Sequence, residues 1–126
     1  MENNLDQLCF SKSIEIAGHL KDLPQGEKKK KAKELENFIQ KSLGVVQEDG
    51  VFAFFIYLKA NDKSCIDAKI ENNIIQLLNI TIGKRLDTSL EKIKNLGDDI
   101  NVLLLAKSLI EKTLIYARYQ ANSMGG

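Results

Sequence analysis

One histidine, two cysteines and a scatter of carboxylates are what this chain offers to covalent or acid–base chemistry. His19 falls near the end of a first helical stretch, where capping carbonyls or a surface position suits it better than catalysis. Cys9 and Cys65 lie in apolar-periodic segments, without CxxC spacing or a histidine cluster beside them. They are expected to be reduced core residues rather than a metal site or a disulfide. The adjacent acids Asp98-Asp99 suit the positive end of a helix starting there, which explains them without general acid–base work. No phosphate-cradling glycine loop, nucleophile elbow or zinc-binding HExxH is present. No enzyme and no cofactor are expected.

The basic residues are the other chemically suggestive set. Lys28, Lys29, Lys30, Lys31 and Lys33 crowd the start of a helix, where the helix dipole disfavours positive charge. Either they form a solvated helix start or something outside the helix explains them. Lys41 stands apart, further along the same stretch. Lys84-Arg85 follows Gly83, at a helix end where cations offset the dipole. Lys107, Lys112 and Arg118 dominate the polar side of the last stretch against Glu111. Such residues can follow a phosphate backbone without reading bases. Tyr116 and Tyr119 flank Arg118 and suit either base stacking or packing.

Bulk properties restrain that reading. The chain has 126 residues, 44% hydrophobic and 28% charged, with a formal net charge of +1. That is the balance of one ordinary globular domain, not of a globally basic nucleic-acid binder. The charge is uneven. Residues 1–24 carry two lysines against four acids, and residues 25–60 carry seven lysines against five. A polyanion would meet a local patch. The acidic, polar N-terminus does not read as a signal peptide, and the longest apolar run is too short for a membrane span. A cytoplasmic location is expected.

The elements that must position these residues read as helices. Residues 4–22 place Leu5, Leu8, Cys9, Ile16 and Leu20 near one face, and Pro24 and Gly26 end that helix. Residues 27–42 carry the stripe Ala32, Leu35, Phe38, Ile39 and Leu43, with Gly44 as the stop. Next comes Asp49-Gly50 and the unbroken apolar run Val51–Leu58. Residues 47–60 are read as a helix, since a lone strand would leave its backbone unpaired. Being wholly apolar, it is expected to be buried on every side.

Residues 64–82 repeat Ile66, Ile70, Ile74, Leu77 and Leu78, with Ser64 and Gly83 as caps. Residues 87–96 form a short helix capped by Asp87, Thr88 or Ser89, burying Leu90, Ile93 and Leu96 and ended by Gly97. Residues 98–121 form the longest helix, with a wide apolar face from Ile100 to Ala117. Residues 1–3 and 122–126 are expected to be loose. The whole is an all-α, compact single-domain bundle of five or six helices with short loops.

Taken in order, these segments resemble the small helical subunit of type III-B CRISPR effector complexes, the fifth Cmr subunit family. That family has a lysine-rich helix, a turn carrying Lys-Leu-Pro and then Asn-Gly-Leu, and an apolar helix ending in lysine. Here Lys41-Ser-Leu-Gly-Val-Val-Gln-Glu-Asp-Gly50-Val51 occupies the turn and Phe52–Lys59 the apolar helix. Ile115-Tyr116-Ala117-Arg118-Tyr119 looks like the family's C-terminal Trp-Leu-Lys-Arg-Phe-Ala ending. Leu43, Asp49 and Ile115 stand where the family has proline, asparagine and tryptophan. The similarity runs over residues 8–121, in order and spacing more than in identities.

The resemblance implies a non-catalytic subunit that stacks with copies of itself beside larger backbone subunits. That filament lines the groove that holds guide RNA and target RNA. The residues expected to touch RNA are Lys41, Lys84, Arg85, Lys107, Lys112 and Arg118. Lys41 and Arg118 match positions of the family pattern, and the other four rest on charge. The alternatives are the small subunit of a type III-A or type I complex, and a helical protein–protein adaptor without nucleic acid. No membrane partner is expected.

Overall fold

The computed structural model describes residues 4–61, 65–83, 85–87 and 89–125, with the backbone alone at residues 19 and 65–67. Among the described residues six α-helices follow one another: α1 (Leu5–Ala17), α2 (Gln25–Asp49), α3 (Val51–Ala60), α4 (Cys65–Ile82), α5 (Leu90–Ile93) and α6 (Ile100–Gly125). Short 3-10 turns span Gly18–Asp22 and Lys94–Asp98. There is no strand among the described residues. The fold is the expected all-α bundle, and no described helix is long and apolar enough to cross a membrane.

Local chemistry sets most boundaries. Asn4 caps α1 by accepting from the Gln7 amide at 3.0 Å. Pro24 does not merely end the first helix. Its extended backbone launches α2, and its carbonyl accepts from Lys28 N–H at 2.7 Å. A proline is tolerated there because a helix start has no use for its missing donor. Gly83, at φ 79°, closes α4 through an amide donation to Asn79 O. Of the three candidate caps of α5, Ser89 accepts from Glu91 N–H, and Asp87 steadies Ser89. Asp99 accepts from Asn101 N–H at the start of α6. Ser64, Thr88 and Lys84 lie outside the described residues.

Several expectations are corrected. Gly44 does not stop α2, which runs unbroken to Asp49. Leu43 keeps the N–H that a proline would lack, and an isolated interior glycine costs a helix only ~1 kcal/mol. The eleven-residue turn implied by the resemblance shrinks to Gly50 alone, at φ 95° and ψ −176°. Only glycine occupies that region without strain.

The apolar helix α3 is not buried all round either. Val51, Phe54, Phe55 and Leu58 are buried, while Phe52 and Ile56 are 39% and 54% exposed. Ten residues at the rim of a small bundle can turn only one face inward. Leu90, Ile100 and Leu105 are likewise exposed rather than core. Residues 122–125 are helical, because α6 keeps packing against α2 to its end. Gly97 lies within a 3-10 turn rather than ending a helix.

The core joins every helix. Phe54 and Phe55 meet edge to face at 5.2 Å, among Ile16, Leu35, Ile74 and Ile110, all fully buried. The buried stripes of α2 and α4 are those read from the sequence at Ala32, Leu35, Ile39, Ile70, Ile74, Leu77 and Leu78. Cys9 is buried, its thiol donating to Leu109 O at 3.6 Å. Burial pushes that thiol above its ordinary range. Helix α6 is the spine, packed along α2 on one flank and α1 on the other.

Candidate nucleic-acid interface

The two flanks of α6 divide its basic residues. Gln120, Tyr116, Leu109 and Lys112 reach α1, at Ser13, Phe10, Cys9 and Asp6 respectively. Asn122 and Gly125 reach α2, at Glu36 and Ala32. A 100° step per residue puts Arg118 and Lys107 toward the α2 side, about 16 Å apart along the axis. Lys112 is on the α1 side, so the three cations do not form one stripe.

Lys112 is committed internally. Its ammonium lies 3.0 Å from Asp6 Oδ1, and the Tyr116 hydroxyl donates to the same oxygen. The Tyr116 bond, then the Lys112 bond, hold the Asp6 carboxyl below the usual carboxylate range. Asp6 in turn raises both Lys112 and Tyr116. Tyr116 also packs edge to face on Phe10 at 5.7 Å, so of the two tyrosines it is the packing one. Tyr119 is 61% exposed, with the Arg118 guanidinium 5.4 Å from its ring centre. That pair offers a cation and an open aromatic face together.

Arg85 is exposed on the segment after Gly83. The position is fixed from the side by Asn79, which donates to Leu86 O at 2.9 Å and accepts from Leu86 N–H at 2.7 Å. Arg85 lines a small cleft with Lys92, Asn95 and Asp98. Lys84, its sequence neighbour, lies outside the described residues, as does the His19 side chain.

Lys41 is not isolated. It is exposed on α2 and shares a shallow cleft with Asn37 and Gln40. Asn37 also lines a larger cleft of about 570 Å³ between α2 and the end of α6, with Lys29, Lys30 and Lys33 on the α2 side and Asn122 on the other. Asn37 lines both clefts, the second of which is bounded by α2 residues alone. Lys29, Lys33, Asn37 and Lys41 succeed each other at i, i+4, i+8 and i+12, a single ridge of the helix. That spacing was the signal in the sequence. It is obscured because Lys28, Lys30 and Lys31 interleave with the ridge positions at the helix start.

The end of α6 also explains why lysines crowd the start of α2. A methyl group added at Gly125 would stand 3.3 Å from Ala32 Cβ. The two helices are therefore antiparallel, and the negative C-terminal end of α6, which has no basic residue in its last turn, abuts the first turns of α2. Lys29 and Lys33 provide the cations that α6 lacks. Among the described residues, no three His, Cys, Asp or Glu side chains converge as metal ligands. Comparisons of the chain with protein families, with curated proteins and with solved structures found no match.

Proposed function

We propose that this chain is a non-catalytic small subunit of a type III-B CRISPR ribonucleoprotein, acting in the cytoplasm in antiviral defence. In this reading it stacks as a filament beside backbone subunits and lines the groove that holds guide RNA paired with target RNA. The observation that carries the reading is the order of its elements. A long lysine-bearing helix is followed by a short apolar helix with Lys59 in its last turn, and a long helix bearing Arg118 closes the bundle. Support also comes from basic residues placed on the surface of a near-neutral body. The expected work is shape and backbone contact, with cleavage left to other subunits. The small subunit of a type III-A or type I complex would share these features, and the identity of the co-purifying subunits separates them.

A second reading, a helical adaptor without nucleic acid, is favoured by one observation. Phe52, Ile56 and Leu90 form an exposed apolar groove between α3 and α5, the kind of surface that marks protein contact. Purification of the native complex decides between them. Short guide RNA and backbone subunits are the expected companions. A complex with neither RNA nor CRISPR subunits overturns the first reading, and a protein-only complex establishes the second.

A further inference from the structure

We infer that the α2–α6 groove and the exposed α2 surface that follows it past Asn37 are a track for the phosphodiester backbone of a single RNA strand, held by Lys29, Lys33, Asn37 and Lys41 along one ridge. This deepens the RNA reading above and rests on it.

Three observations carry the inference. The first is cationic charge without an ion-pair partner. Among the described residues, Lys29, Lys30, Lys33 and Lys41 have no carboxylate within ion-pair distance. Of the two glutamates at the groove, Glu34 pairs with Lys31 at 3.6 Å, while Glu36 accepts from Asn122 Nδ2 at 2.9 Å and keeps its charge on the groove wall, outnumbered by Lys29, Lys30 and Lys33. The second is the lining. Its side chains are lysine, glutamate, asparagine and glutamine, with no aromatic or aliphatic anchor. Protein partners draw their affinity from such anchors, whereas a phosphate chain needs cations and amide donors. The third is length. Lys29 to Lys41 spans about 18 Å, in steps of about 6 Å per ridge position. One small anion would fill a fraction of it, and an extended strand with a charge on every residue would use all of it.

The track reads no bases, because every group along the ridge is a cation or a flexible amide. Binding is therefore independent of sequence and steeply weakened by salt. Arg118 lies on the same flank of α6, while Tyr119 is turned about 100° from it toward the Lys112 side.

The test uses the full chain and a fluorescent oligouridine, with anisotropy followed across a salt series. The triple variant Lys29→Gln/Lys33→Gln/Lys41→Gln changes exposed positions only, and circular dichroism checks its helicity. Its affinity is expected to fall on the order of 100-fold near 0.1 M salt, and its salt slope to shrink by about 2. Lys21→Gln/Lys94→Gln, at exposed positions outside the groove, is expected to bind like the parent. The proposal is overturned if the triple variant keeps the parent affinity and slope, if both variants weaken equally, or if the parent binds no oligouridine at low salt. A native complex that retains guide RNA while the triple variant binds normally removes the groove but leaves the RNA reading standing. Groove-dependent binding in a protein without CRISPR partners removes the CRISPR assignment but leaves the groove.

Discussion

Asp6, Lys112 and Tyr116 tie the first helix to the last through one carboxylate oxygen. The Asp6 carboxyl titrates below its ordinary value, so its contribution is present above the unfolded carboxylate pKa and is lost as pH falls through the depressed one. Lys112 titrates above its ordinary value, so its share is present below the unfolded lysine pKa and lost as pH rises through the raised one. The tie therefore holds through neutral pH and opens at either extreme. Asp6→Asn should bring the Tyr116 phenol back down toward its ordinary range, as read by ultraviolet titration, because the Asp6 bond is the main cause of the rise. An unchanged titration would show that another group holds the phenol. Asn79 is a second case. It satisfies both backbone groups of buried Leu86, and Asn79→Ala should cost about 2 kcal/mol in urea unfolding. Neither contact is legible in the sequence: Asp6 and Tyr116 are far apart along the chain, and Leu86 lies past the end of α4, where the helical period no longer places it.

At the scale of elements, the apolar periods of α2, α4 and α6 fixed which face is core, because burial of a stripe is the dominant favourable term. What periodicity misses is where a helix stops. Gly44 and Gly50 look alike in the sequence, yet one is helix interior and the other a junction at φ 95°. Their difference comes from tertiary packing: the docking of α3 onto the core demands a change of direction after Asp49, and nothing demands one after Leu43. The two should respond oppositely to alanine. A Cβ at Gly44 meets nothing within 4 Å, so Gly44→Ala should stabilise the fold by about 0.5–1 kcal/mol. Gly50→Ala should destabilise it by about 1–3 kcal/mol. Thermal melts of the pair would decide this, and equal effects would contradict the junction. The exposed apolar residues were also unreadable. Phe52 and Ile56 sit in the most apolar run of the chain, and a run without polar residues cannot show which of its faces is out.

For the whole molecule, the two candidate surfaces do not overlap: the basic α2–α6 groove and the apolar groove at α3 and α5. The candidate cations were legible as residue types, but their grouping was not. Lys41 shares a helix with Lys29 and Lys33 already in the sequence, but only the clefts that share Asn37 relate them, and Lys112 leaves the set because Asp6 stands beside it. The separation makes the surfaces testable one at a time. Ile56→Ser, at a position 54% exposed, should leave the melting temperature within about a degree or two, since exposed sites away from caps and networks change stability by about 0.5 kcal/mol or less. It should reduce retention of protein partners in the purified complex while leaving oligouridine binding intact. Loss of both would mean that the two surfaces act as one.

The end of α6 has a practical consequence for handling the protein. Gly125 lines the wall of the basic groove, so any polypeptide joined beyond it leaves the fold at the groove's mouth. An acidic affinity tag fused there would act as a tethered competitor at high effective concentration. It would mask RNA binding in a preparation that is otherwise sound. The same tag placed before α1, whose Asp6 lies on the opposite flank of α6, should leave the groove open.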